Sequence, residues 1–150
     1  MWGLKGERLL CPVSPQYKNF YVYSSVSPLC GESFMLFLPW VNTEMMSLYL
    51  EQMSQAFSDS RLLLVPDQAG WHKAKDLLLP KNISFEFLPS YSPDLNPVEK
   101  LWLHLRRHVC RNRLFESEQE LEQALESALA SLSRDSLKTL CRCSYLEYIN

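Results

Sequence analysis

The sequence predicts an α/β fold, and three observations carry that prediction. Residues 62–65 form a continuous apolar run of strand length, stopped by Pro66 and followed by a loop and helix-compatible residues. Residues 20–26 alternate in the manner of a strand, and residues 33–38 are apolar enough to pair with them through a turn at Pro28 and Gly31. Apolar residues then recur at helical spacing over 97–110 and 117–132, each behind a well-marked start.

Taken in order, residues 7–13 read as a weak strand or an extended entry, ahead of the hairpin. Asn42 or Thr43 caps a helix whose stripe is Met46, Tyr49, Leu50, Met53 and Phe57. The run at 62–65 suits a strand buried on both faces in a parallel sheet, and a short helix is expected near 71–79. Ile83, Phe85 and Phe87 alternate with Ser84 and Glu86, as in a half-exposed strand. Pro93 and Pro97 prevent a helix from running through, since each lacks a backbone donor and biases the residue before it to extended geometry. Asn96 is then the N-cap and Pro97 the first helical residue of a helix reaching about Cys110, with Val98, Leu101, Trp102, Leu105 and Val109 facing the core. Ser117 and Glu120 form a capping box for a helix through Leu132, and a last short helix spans about 135–142. The stripe Leu121, Ala124, Leu125, Ala128 and Leu132 reads as packing.

A chain of 150 residues with 47% hydrophobic content buries a substantial core as a single domain. The longest apolar stretch, residues 34–41, is broken by Pro39 and is too short to span a bilayer. No apolar signal-peptide core follows Met1, so a cytoplasmic protein without a membrane partner is expected. Five cysteines, an odd count without metal-type spacing, are expected as reduced thiols. The net charge of −2 argues against general nucleic-acid affinity. Locally, however, Lys100, Arg106, Arg107, Arg111 and Arg113 cluster with no acid between 100 and 115, either as a solvated helix face or as a surface that steers a DNA backbone. His104 and His108, four apart on one helix, have the spacing of a zinc pair, but no HExxH pattern accompanies them.

Two acidic residues stand where chemistry is possible. Glu99 is the third residue of the helix that Asn96 caps, held on a rigid turn where a metal-binding carboxylate would be wanted. The same spacing is also a purely structural capping box. Asp67 sits just past the carboxyl end of the 62–65 strand, where open α/β sheets bind ligands, and its structural alternative is a turn or cap residue.

The segments PDQAGWHKAKDL, FLPSYSPDLNPVEKLW and VSPLCGESFMLFLPWVNTE together resemble the DDE-type transposases of bacterial insertion sequences in the mariner superfamily. The resemblance runs from Trp2 to the last helices. It implies a ribonuclease H-like mixed sheet flanked by helices, with strand order 3-2-1-4-5, and it matches Asp67 and Glu99 to the second and third members of an Asp, Asp, Glu triad. It further implies two Mg²⁺ or Mn²⁺ ions, about 3.5–4 Å apart, clamping the attacking and leaving oxygens of an in-line phosphoryl displacement. Element ends and target DNA are the implied substrates: water first cuts the phosphodiester, and the freed 3′-hydroxyl then attacks. His72 matches a position where the family often has His and is expected in a supporting contact to phosphate or the metal shell; Asn96 and Pro97 support Glu99.

One departure matters. The family's first Asp lies on the first, central strand, ahead of a segment like residues 2–13, so that strand and its Asp are expected to be missing. Glu7, Glu32, Glu44 and Asp59 do not replace it convincingly. Nor is the family's N-terminal helix-turn-helix expected within these residues. A sheet with unpaired edges is expected, as is either an enzyme fragment or a non-catalytic remnant. The fragment would be complete only if another reading frame supplied the missing segment, and its expected protein partner is that N-terminal segment or a second copy of itself. The remnant would associate with intact transposase or interfere with it.

Overall fold

The computed structural model describes residues 2–4, 20–90 and 93–146. Strands β2 (Tyr21–Ser27) and β3 (Glu32–Leu38) form the expected antiparallel hairpin, with Tyr21 opposite Leu38 and Ser27 opposite Glu32. Gly31 closes the turn at φ +69°, and its N–H donates to the Ser27 carbonyl at 2.8 Å. Helix α1 (Thr43–Ala56) follows, capped by Asn42, whose Oδ1 accepts from the Met45 N–H at 2.8 Å.

Strand β4 (Leu62–Pro66) lies between β1 (Trp2–Leu4) and β5 (Ile83–Phe85), parallel to both. Asn82 fixes the entry to β5. Its Oδ1 accepts from Ser54 Oγ at 2.5 Å, and its amide faces the carbonyls of Ser54, Phe57 and Ser60 at 3.2–3.4 Å, tying β5 to the end of α1. The helix α2 (Val98–Leu105) runs on into a π-helical turn, Arg106–Cys110. Two further helices, α3 (Glu118–Ala130) and α4 (Arg134–Leu140), complete the fold with Ser117 and Ser133 as caps.

Alternation along β2 divides the core in two. Val22 and Val26 join Val98, Leu101, Trp102, Leu105, Phe115, Leu121, Leu125 and Leu137, placing α2, α3 and α4 against that face. Tyr23 joins Met46, Tyr49, Leu50 and Met53 of α1 with Leu62, Leu64 and Ile83. The hydroxyl of Tyr49 donates to Ser25 Oγ (2.7 Å) or to the Phe34 carbonyl (3.1 Å), so the polar groups in this second cluster are matched.

Four expectations need revision. The helix near 71–79 is a single 3₁₀ turn, Gly70–His72, followed by irregular chain. Pro80 leaves little room for an i to i−4 ladder, and the Leu78 N–H bonds Ser47 Oγ of α1 (3.1 Å) instead. Strand β4 is not buried on both faces throughout, because Leu63 is 45% exposed. The place beside β4 is not left empty: β1 fills it, pairing Trp2 with Leu64 and Leu4 with Pro66, and it also lies near β2. The hairpin and the parallel strands nonetheless stand as two hydrogen-bonded sheets, β2-β3 and β1-β4-β5, among the described residues. Finally, Cys110 is disulfide-bonded, whereas Cys30, Cys141 and Cys143 are free as expected. The strand expected at 7–13 lies outside the described residues.

At the hairpin turn, a Cβ added to Gly31 would overlap the Arg134 backbone carbonyl, in addition to the left-handed φ. Gly31→Ala is expected to destabilise the fold by about 1–3 kcal/mol or more, read as a lowered urea midpoint at unchanged slope. Tyr49→Phe, which strands the Ser25 hydroxyl, is expected to cost about 1–2 kcal/mol in the same assay.

Candidate active site

Asp67 is the first residue beyond the carboxyl end of β4. Two bonds hold the chain leaving β5 against that end: the Leu88 N–H donates to the Pro66 carbonyl (3.0 Å), and Gln68 Nε2 donates to the Leu88 carbonyl (3.0 Å). Asp67 Oδ1 accepts from the Ala69 N–H at 3.1 Å, closing a tight side-chain turn. His72 Nδ1 lies 3.0 Å from that same oxygen and 3.0 Å from the Asp67 backbone carbonyl oxygen. The Asp67 side chain is 35% exposed while that of His72 is 1% exposed, so the carboxylate meets solvent and the imidazole lies beneath it.

Glu99 is placed by a different device. Asn96 is buried, its Oδ1 accepts from the Val98 N–H at 3.3 Å, and its backbone carbonyl accepts from the Glu99 N–H at 3.2 Å. Pro97 has helical dihedrals (φ −63°, ψ −22°), so Asn96 caps and Pro97 begins the helix as expected. Val98, Leu101, Trp102 and Leu105 are fully buried, which anchors the turn that carries the half-buried Glu99. The C-terminal segment straps both flanks of this turn. Tyr145 Oη donates to the Leu95 carbonyl at 2.5 Å, and Lys100 Nζ donates to the Arg142 carbonyl. These contacts span 50 and 42 residues, and no local sequence signal announces them.

The basic cluster divides. Lys100 is engaged by Arg142. Arg113 pairs with Glu120 Oε1 at 3.1 Å and sits 4.7 Å over the Phe115 ring. Arg106, Arg107 and Arg111 are exposed on and just after the π-helical turn. His104 and His108 stack at 4.0 Å, and His108 Nδ1–H donates to the His104 carbonyl at 2.8 Å, a contact within the helix. Partial burial, and then the neighbouring His108, lower the His104 pKa.

Among the described residues, no three His, Cys, Asp or Glu side chains gather to hold a metal ion. Of the rejected substitutes for a first Asp, Glu7 lies outside the described residues and the other three are placed elsewhere. Glu32 pairs with Arg134 at 2.8 Å, and Glu44 and Asp59 are exposed. No helix of the described residues is long and apolar enough to cross a membrane.

The family model described as DDE superfamily endonuclease matches residues 1–122. An uncharacterized protein of Sinorhizobium fredii, y4pE/y4sA, is 40% identical over 96 residues, 63% of this chain and 71% of the relative. The Tcb2 transposable-element transposase of Caenorhabditis briggsae is 38% identical over 60 residues, 36% of this chain and 22% of that protein. The Mos1 transposase in a paired-end complex with its left transposon end superposes with a TM-score of 0.71 at 17% identity, over 93% of this chain and 50% of the Mos1 chain. The HTLV-2 integrase catalytic core domain in complex with magnesium superposes with a TM-score of 0.52 at 12% identity, over 87% of this chain and 82% of that domain. The likeness to both solved structures is one of fold. This chain spans half the length of the Mos1 transposase and 22% of Tcb2.

Two measurements check the local geometry. Asn96→Ala is expected to cost about 1 kcal/mol through loss of the cap, seen as a lowered thermal midpoint. Burial, and then the adjacent Cys143, push the Cys141 thiol up to about 12 against a partial offset from Lys100. At pH 8 a thiol reagent is therefore expected to label exposed Cys30 promptly and Cys141 only on unfolding.

Proposed function

The chain belongs to the DDE superfamily of endonucleases, with the fold of a mariner-type transposase catalytic domain, and on that premise we propose that Asp67 and Glu99 are two of the carboxylates with which it acts on DNA phosphodiesters. The observation that carries the reading is the position of the two acids. Asp67 closes the parallel strand β4 at its carboxyl end, and Glu99 stands on a capped, core-anchored first turn. Both lie within the residues that the family model matches. The donor set suits a hard divalent cation such as Mg²⁺ or Mn²⁺, which is commonly held by one or two carboxylates with waters and substrate phosphates. Such a cation, when bound, polarises the phosphoryl oxygens and activates the attacking hydroxyl.

The chain's own residues supply orientation. The Ala69 N–H holds the Asp67 carboxylate through Oδ1, and the cap at Asn96 holds the backbone of Glu99. Arg107 and Arg111 steer the DNA backbone, while Lys100 and Arg113 serve contacts within the chain. The substrate is DNA, as element ends and then target. The reaction is hydrolysis of a phosphodiester followed by attack of the freed 3′-hydroxyl. The Mos1 complex with a transposon end and the magnesium-bound integrase core support this reading by analogy of fold.

A third carboxylate is needed from another segment. Strand β1 carries only Trp2, Gly3 and Leu4, and among the described residues no three His, Cys, Asp or Glu side chains gather to hold a metal ion. On this reading the chain by itself does not cut DNA, and the same observation favours a second reading, in which it associates with intact transposase and interferes with it.

With Mg²⁺ and element-end DNA, the isolated chain is expected to show no nicking. A fusion restoring a first-strand Asp segment is expected to cut, with a loss of roughly 10³-fold or more in Asp67→Asn or Glu99→Gln. Cleavage indifferent to both substitutions would sink the assignment, and a fusion that stays silent while the chain suppresses intact transposase would favour the second reading. Separately, the Arg107→Ala/Arg111→Ala variant is expected to flatten the log–log salt slope of DNA binding by about two, and Arg113→Ala to leave it unchanged.

A further inference from the structure

His72 is the only basic side chain buried among the described residues. An imidazole removed from water needs a hydrogen-bond partner, and this one has found two oxygens of a single residue. The Asp67 backbone carbonyl can only accept, so the hydrogen between it and His72 belongs to Nδ1. In the neutral ring this fixes the Nδ1–H tautomer, with the lone pair on Nε2. That hydrogen is shared with Asp67 Oδ1, at 3.0 Å from Nδ1 in each case.

We infer that His72 is a positioning residue for Asp67: its Nδ1–H, bridging the carbonyl and the carboxylate of the same residue, fixes the rotamer in which that carboxylate is presented. The inference rests on the reading of Asp67 as a metal-binding carboxylate and goes one step beyond it. Asp67 lies past the end of β4, where no strand ladder or helix constrains its side chain. Two donors converge on Oδ1, one from Ala69 and one from His72, and together they restrict both torsions of a group that is 35% exposed. The direction of the contact also decides between roles. A histidine whose side chain is 1% exposed and whose Nδ1 is turned toward Asp67 is poorly placed to meet a DNA phosphate arriving from solvent. It acts through Asp67. Hydrogen bonds from outside a metal's ligand set orient the ligands, and their loss typically costs about 10–100-fold in metal affinity.

The test uses the 150-residue chain with Mn²⁺ alone, titrated by calorimetry, with circular dichroism and thermal melts as the check of folding. Asp67→Asn is expected to abolish binding. His72→Phe is expected to weaken it by about 10–100-fold. His72→Asn, which keeps an N–H donor near the position of Nδ1, is expected to restore most of the affinity. If Asp67→Asn leaves Mn²⁺ binding intact, or if the unsubstituted chain binds none, the reading of Asp67 as a ligand fails and the inference falls with it. If Asp67→Asn abolishes binding while His72→Phe does not weaken it, or if Phe and Asn weaken it equally, the positioning role alone is overturned. A second readout on the unsubstituted chain covers the case in which the Phe variant does not fold. Nitrogen-15 NMR of the imidazole is expected to show the Nδ1–H tautomer, and an Nε2–H tautomer would overturn the proposal without reference to any metal.

Discussion

The burial of β2 on both faces is the constraint on which the rest of this structure depends. Residues 22–27 are all buried, and because successive side chains of a strand point to opposite faces, β2 must serve two cores at once. Val22 and Val26 demand an apolar layer on one side, which α2, α3 and α4 supply, and Tyr23 demands another, which α1 supplies. Each large apolar side chain so covered contributes about 1.5–3 kcal/mol relative to exposure. Of the buried serines between them, Ser25 is met by Tyr49 from across the second core, while the Ser24 hydroxyl has no hydrogen-bond partner among the described residues. The helical layers are thus consequences of a strand that neither face can leave to water.

The candidate site inherits its geometry from that arrangement. Helix α2 is seated by Leu101, Trp102 and Leu105, so the turn bearing Glu99 is rigid before any substrate arrives. The strap formed by Arg142 and Tyr145 adds long-range bonds on both flanks of that turn. Asp67 has no such seat. It projects from an irregular loop, and its order comes from side-chain hydrogen bonds and from the attachment of Gln68 to the Leu88 carbonyl. One acid is held by backbone and packing, the other by a small polar network, and polar networks of this kind are sensitive to loss of any single member.

Features governed by neighbours in sequence were legible before the structure. The caps at Asn42, Asn96 and Ser117, the turn at Gly31 and the helical stripe from Val98 to Val109 follow from local hydrogen bonding and periodicity, and they appear where the residues place them. The helical pattern of segment 71–79 is real, but its Leu78 N–H bonds Ser47 of another element. The basic cluster from Lys100 to Arg113 looked uniform along the chain. In space, Arg113 meets Glu120 and Phe115, while Lys100 meets a carbonyl 42 residues away.

The division between the two sources of information is therefore physical. By itself the sequence determined the α/β class, the hairpin, the capped start of α2 and the candidacy of Asp67 and Glu99, because caps, turns, periodicity and motif residues act over a few positions. Only the tertiary structure decided that Trp2–Leu4 fills the place beside β4, that Lys100 and Arg113 are tied up within the chain, and that His72 bonds Asp67 itself. Strand pairing, side-chain engagement and burial depend on which distant groups arrive together, and no local pattern records that.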